Sequence, residues 1–193
     1  MIPCKRYFRY LVQVLIFCLL LQAGVVACAV TNDDCVEGNG KIKEQERKVP
    51  DVEQIKVSGA FDLFVQAGEK QRLVVVADEN LLPYITTKVN GKQLEISTSR
   101  SVCTANAMEV RLSVDSLDFI AADGSSDFQI KGIDEEHLRL QLSGANDLNV
   151  SGQTDHFDVE LSGATDLDAT GLKVKRAKLI VTGSAEAKVN VSD

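Results

Sequence analysis

The chain of 193 residues has no tryptophan, three tyrosines, three prolines and two histidines, His137 and His156. Aromatic residues make up 5% of it, too few for the stacking platforms that hold single-stranded nucleic acids or sugar rings. Two histidines leave little material for a His-rich metal site or for histidine-based catalysis. Lys and Arg number 21 against 28 Asp and Glu, a net charge of -7. Phosphate backbones are met by clustered cations, so nucleic acid is excluded as an expected partner. A phosphate-binding glycine loop, a Ser-His-Asp order and a closely spaced cysteine pair are also missing. Apolar side chains are plentiful at 45%, enough for one packed core in a chain of this length.

The first thirty residues differ from the rest. Lys5, Arg6 and Arg9 precede an apolar run at 11–21 that only Gln13 interrupts, and small residues follow at Ala23, Gly24, Ala27 and Ala29. This order is that of a secretory signal, with an uncleaved membrane anchor as the alternative. Val25, Val26, Ala27 and Cys28 have the pattern of a bacterial lipobox. On that reading residues 1–27 are a lipoprotein-type signal peptide and Cys28 is the lipidated first residue of the mature chain. An ordinary cut after Ala27 or Ala29 is the competing reading. Removing residues 1–27 takes away three cations and no acid, leaving 18 basic against 28 acidic residues. Attachment to a membrane would then rest on acyl chains and not on a basic patch. Cys35 and Cys103 remain as an even pair in an oxidising compartment, either disulfide-bonded or as two separate thiols.

Beyond the signal, one motif repeats: VSGAFDL at 57–63, ADGSSDF at 122–128, LSGANDL at 142–148, LSGATDL at 161–167 and VTGSAEA at 181–187. Its glycines are Gly59, Gly124, Gly144, Gly163 and Gly183, the last four in steps of 20, 19 and 20 residues. A constant period near twenty marks a repeat architecture. Apolar residues four before each glycine (Ile55, Ile120, Leu140, Val159, Leu179) and six after it alternate with polar ones at period two, which is strand spacing. The expectation is an all-β fold, a right-handed parallel β-helix with rungs of about twenty residues that hydrogen-bond one to the next. The step of 65 from Gly59 to Gly124 leaves room for about three divergent rungs. Residues 54–98 read as less regular strands. They contain a buried run at 72–77, one helical turn at 78–82 ended by Pro83, and a β-hairpin at 85–97 around Asn90 and Gly91. Residues 28–48 are expected to form a tether and first strand, and 49–193 the β-helical domain.

CVEGNG at 35–40, ERKV at 46–49, VSGAFDL at 57–63 and DENLLP at 78–83, followed by the Ser-Gly-Ala repeats, together resemble the head GIN domain family of auto-transporter adhesins. The resemblance covers residues 35–193. It implies a bacterial envelope protein of right-handed β-helical form, usually carrying a lipoprotein signal, with no established catalytic residues and no cofactor. It also implies one or two further rungs than the ten residues after Gly183 can supply. The final rung is therefore expected to expose Val181, Val189 and Val191, and to self-associate or to belong to a longer product.

The repeated acids Asp127, Asp147, Asp166 and Glu186 would form one column if the rungs stack in register. Calcium binding is one reading of such a column. The preferred reading is that Asp127, Asp147 and Asp166, three residues after a turn glycine, accept backbone N–H groups and fix the turn. Lys131, Arg139 and Lys175 are the cations a polysaccharide-cleaving β-helix would need beside those acids, and are read as solvent-facing. His137 and His156 are read as surface-loop residues. The expected function is a non-enzymatic, lipid-anchored envelope protein that binds a surface glycan or protein ligand. A carbohydrate-active enzyme on the same fold and a purely structural envelope component are the alternatives.

Overall fold

The computed structural model describes residues 35–191, so the expected signal peptide 1–27 and the lipidation candidate Cys28 lie outside the described residues. Apart from one 3-10 turn at Leu82–Tyr84, all regular structure in that range is strand. The strands are β1 (Val36–Glu37), β2 (Ile42–Arg47), β3 (Gln54–Gly59), β4 (Asp62–Ala67), β5 (Arg72–Asp78), β6 (Ile85–Asn90) and β7 (Gln93–Thr98). They continue with β8 (Val102–Cys103), β9 (Glu109–Val114), β10 (Phe119–Gly124), β11 (Asp127–Gly144), β12 (Asp147–Gly163), β13 (Asp166–Gly183) and β14 (Glu186–Val191).

Side-chain alternation explains why these segments are strands. In β4, Leu63, Val65 and Ala67 are buried while Asp62, Phe64 and Gln66 face outward. In β11 the buried set is Phe128, Ile130, Ile133, Leu138, Leu140 and Leu142. The inward parity slips by one between Ile130 and Ile133, where Gly132 takes φ 77° and the pairing shifts, and again before Leu138. Each long strand is thus bent while its ladder continues, and the inward residues of every bend meet in one core.

Two parallel ladders carry the repeats. The first stacks Ile96, Val57, Ala122, Leu142, Leu161 and Val181 from β7, β3, β10, β11, β12 and β13. The second stacks Val110, Leu63, Phe128, Leu148, Leu167 and Ala187 from β9, β4, β11, β12, β13 and β14. Antiparallel pairs flank them: β2 with β5, β5 with β9, and β6 with β7. The fold is all-β as expected, but the sheet is mixed and curls as an open half-barrel where the repeat period led us to expect a right-handed parallel β-helix with less regular amino-terminal strands. The antiparallel part comes from β5, whose buried run lies between β2 and β9, and from the β6–β7 hairpin.

A second expectation is also corrected. The 65-residue step does not hold three rungs between Gly59 and Gly124, because β3 pairs directly with β10, and β4 with β11. The intervening chain instead adds β7 beyond β3 and β9 beyond β4. The hairpin of β6 and β7 turns between Asn90 and Gln93. Pro83 lies inside the 3-10 turn and does not end a helical turn at 78–82, as suits a residue with a fixed φ and no N–H.

The amino-terminal strands are fastened at three places. Cys35 and Cys103 form a disulfide with Cα atoms 5.6 Å apart, next to the short β1–β8 pair. Asp78, buried, accepts hydrogen bonds from Gly40 N–H and from the Thr104 hydroxyl, each at 2.5 Å. Arg47, at the end of β2, donates to the Ile85 and Leu82 carbonyls at 2.8 and 2.9 Å and to the Thr87 hydroxyl at 3.1 Å, tying β2 to the start of β6.

Candidate functional site

The repeat motif places a glycine, then two corner residues, then an acid at the start of the next strand. Register makes a column of each position. The glycine column is Gly59, Gly124, Gly144 and Gly163, ending at Gly183. Gly144 has φ +100°, and a Cβ there would fall well inside contact distance of the Gly124 carbonyl oxygen. Only a residue without a side chain can take that conformation with the neighbouring rung so close.

The acid column is longer than the sequence suggested. Glu109, Asp62, Asp127, Asp147, Asp166 and Glu186 are consecutive partners across β9, β4, β11, β12, β13 and β14. A parallel column, Arg111, Phe64, Gln129, Asn149, Asp168 and Lys188, runs beside it two residues further along each strand. Between them lies an open groove of about 500 Å³. The groove is lined by Asp62, Asp127, Asp147, Asp166 and Glu186, with Lys188 as its cation at the β14 end. Arg111 bonds Glu109 at 2.8 Å, and Lys188 bonds Glu186 at 3.2 Å. Among the described residues, Asp127, Asp147 and Asp166 make no salt bridge and their carboxylates accept no hydrogen bond.

Electrostatics follow from that geometry. Charges one strand spacing apart, about 4.8 Å, repel by roughly 0.9 kcal/mol in water. Asp62 is held above the usual carboxylate range by its partial burial, with Asp127 and Glu109 adding to the effect. Asp168 is held below that range by the Thr170 hydroxyl and N–H, helped by Lys188. Lys188 is pushed up, first by its hydrogen bond to Glu186. Such a groove attracts cationic groups along its middle. The described residues contain no group of three or more His, Cys, Asp or Glu placed to hold a metal ion.

The corners are held by different residues from those expected. Asp127, Asp147 and Asp166 face solvent, and their backbone N–H groups, not their carboxylates, bond the preceding rung. The corner is fixed from inside by the residue just before each acid. The Asn146 side chain accepts from Ser126 N–H at 3.2 Å and donates to the Ser143 carbonyl at 2.8 Å. The Ser126 hydroxyl donates to the Gly59 carbonyl and accepts from Phe61 N–H, both at 3.2 Å. Thr165 occupies the same buried position, with its hydroxyl unpartnered. The motif treats this position as variable, so only its polarity in three successive repeats signals it.

The other candidates do not gather. Lys131 and Arg139 are exposed, on different stretches of β11, and Lys175 is bonded to Asp155 at 2.7 Å. His137 and His156 are not loop residues: they are register partners in β11 and β12, their rings stacked with centroids 4.4 Å apart. The sequence presented Asp78 only as the first residue of the turn expected at 78–82 and of DENLLP, with no role of its own. Its carboxyl is held below the usual range, chiefly by the Thr104 hydroxyl.

Comparison with known proteins agrees with this architecture. The family described as "Putative auto-transporter adhesin, head GIN domain" matches residues 51–193. None of the curated proteins matches the chain. Among solved structures, a putative adhesin from Bacteroides fragilis superposes with a TM-score of 0.66 at 16% identity, covering 82% of this chain and 84% of its own. A putative adhesin from Parabacteroides merdae gives 0.56 at 18% identity, with 81% and 84% covered. A protein from Parabacteroides distasonis, described as a putative lipid binding protein, gives 0.55 at 13% identity, with 82% and 99% covered. At these identities the likeness is one of fold.

Proposed function

The chain belongs to the head GIN domain family of auto-transporter adhesins, and from that membership we propose that it is a non-enzymatic binding domain displayed on the bacterial cell envelope. Residues 1–27 act as a lipoprotein-type signal peptide, Cys28 carries the lipid, and the display domain comprises 49–193 together with β1 and β2, which pair with its strands β8 and β5. The rungs from β10 onward continue the family pattern as a right-handed β-helical coil. The ligand is a surface glycan or protein, held by outward side-chain columns.

The observation that supports this reading best is the groove between the two columns. Six acids follow one another across six strands on a continuous hydrogen-bonded wall, which presents side chains at a fixed pitch with little conformational freedom to lose on binding. Replacing Asp127, Asp147 and Asp166 together by Asn should reduce the adherence of cells displaying the protein at least tenfold while leaving the fold unchanged. Undiminished adherence would remove the groove from the account. Mass spectrometry of the mature amino terminus tests the anchor separately: a diacylglyceryl group on Cys28 is expected, and a free terminus at Val30 would contradict it.

A further inference from the structure

The first ladder has an edge with no strand beside it. Among the described residues, residues 178–183 of β13 pair with β12 on one side and with no strand on the other. β14 covers β13 only along 166–169 and 173–174. Burial shows what is missing. Leu179 and Val181 are 39% and 43% exposed, whereas their partners one rung back, Val159 and Leu161, are 1% and 2% exposed. Their positions belong to the inward columns of the core, and these two lack one layer of cover. An edge that offers free main-chain donors and acceptors beside uncovered apolar side chains is a template for another strand.

The same strand is basic and the strand under it is acidic. β13 carries Lys173, Lys175, Arg176 and Lys178, while β12 carries Asp155, Asp158 and Glu160. Asp158 is the register partner of Lys178, Lys175 bonds Asp155 at 2.7 Å, and the Arg176 guanidinium lies 3.3 Å from His156 Nε2. β12 therefore displays what a strand fitted to β13 looks like: Asp158, Val159, Glu160 and Leu161, acid alternating with apolar. The outer edge of β13 presents the same cations and the same uncovered core positions a second time.

We propose that residues 178–183 are a docking edge for an extended acidic peptide segment of a partner protein. That segment adds as the next strand, with apolar residues over Leu179 and Val181 and a carboxylate beside Lys178. A second copy joined edge to edge matches less well, because its own residues 178–183 hold no carboxylate to set beside Lys178. An anionic glycan or lipid surface would meet the cations and leave the strand's main-chain groups unpaired. Docking at this edge requires neither the acidic groove nor the lipid anchor.

The test is a titration of the purified protein into a fluorescein-labelled nonapeptide with the sequence of residues 155–163, Asp-His-Phe-Asp-Val-Glu-Leu-Ser-Gly. Saturable binding is expected. It should fall at least tenfold for a peptide with lysine in place of the acids that match Asp158 and Glu160. Lys178→Glu should reverse that preference, an outcome that a merely structural role for Lys178 would not produce. Amide shift changes should concentrate on residues 178–183. Equal affinity for the two peptides, no binding at millimolar peptide, or shift changes elsewhere would overturn the proposal. So would occupation of the edge by a second copy in sedimentation, or by anionic phosphatidylglycerol vesicles in co-flotation, if the peptide then fails to compete.

Discussion

The two halves of this domain are held in different ways. From β10 to β14 the same motif recurs in register, and stability comes from columns: glycine over glycine, buried polar corner over buried polar corner, apolar over apolar. β3 and β4 carry the first copy of the motif and start those columns, but the other strands from β1 to β9 do not repeat it, and three individual fastenings join them: the Cys35–Cys103 disulfide, the Asp78 carboxylate and the Arg47 guanidinium. Damage to a column should propagate along the stack, as nearest-neighbour coupling in repeat proteins does. Damage to a fastening should stay local.

The column side breaks most severely at Gly144. Gly144→Val combines a positive φ with a backbone clash against Gly124, a loss of about 3 kcal/mol or more. Gly91, at φ +61° in the hairpin, is the control, because a Cβ added there would meet nothing within 4 Å. Gly91→Ala should cost only about 1 kcal/mol. Chemical denaturation of the two variants decides the point: similar losses would mean that the columns do not couple the rungs.

The fastening side breaks next. Cys35→Ser opens a bridge spanning 68 residues and should cost about 2–4 kcal/mol. Hydrogen exchange should accelerate in β1 and β8 while β11, β12 and β13 keep their protection; loss of protection throughout would show that the halves fold as one column.

Asp78 supplies a smaller and pH-dependent contribution. Its folded carboxyl lies below its ordinary value of 3.8. The stabilisation is therefore fully present above that value and fades as the pH falls through the lower, folded one. The amide signals of Gly38, Asn39 and Gly40 should titrate together with a midpoint below 3.8, and Asp78→Asn should abolish the transition. A midpoint above 3.8 would contradict the hydrogen-bonded clasp.

The smallest expected effect is a gain. Thr165 is buried with an unpartnered hydroxyl where the previous rung has Asn146 bonded to two backbone groups. Thr165→Asn should stabilise the domain by roughly 0.5–1.5 kcal/mol. A loss would show that the corner of this rung differs from that at Asn146.

The same contrast explains what could be read from the residues alone. A fixed twenty-residue period and alternating apolar positions make strands, rungs and the acid column legible, because in a stack local order determines long-range register. The pairing of β3 with β10 was not legible. Nothing in the length of the 65-residue step distinguishes rungs inserted between them from strands added outside. The direction of β5 was hidden too, since a run such as Leu73 to Ala77 declares burial and not orientation. Asp127, Asp147 and Asp166 drew attention as turn residues because acids often cap turns. The inward neighbours Ser126, Asn146 and Thr165 hold those corners because, inside the core, a polar side chain must find backbone partners.

The architecture turns on one adjacency: the motif at 57–63 lies directly against the motif at 122–128, so that the glycine column is continuous from Gly59 to Gly183. Ser58 and Thr182 are then four strand spacings apart through Asp123, Ser143 and Ser162. Spin labels at Ser58→Cys and Thr182→Cys measure this separation, with Cys4, Cys18 and Cys28 replaced by Ser and the Cys35–Cys103 bridge intact. A pulsed dipolar distance centred near about 19 Å is predicted from strand spacings of about 4.8 Å. A distance near about 34 Å, the span with three rungs inserted between Gly59 and Gly124, would contradict it.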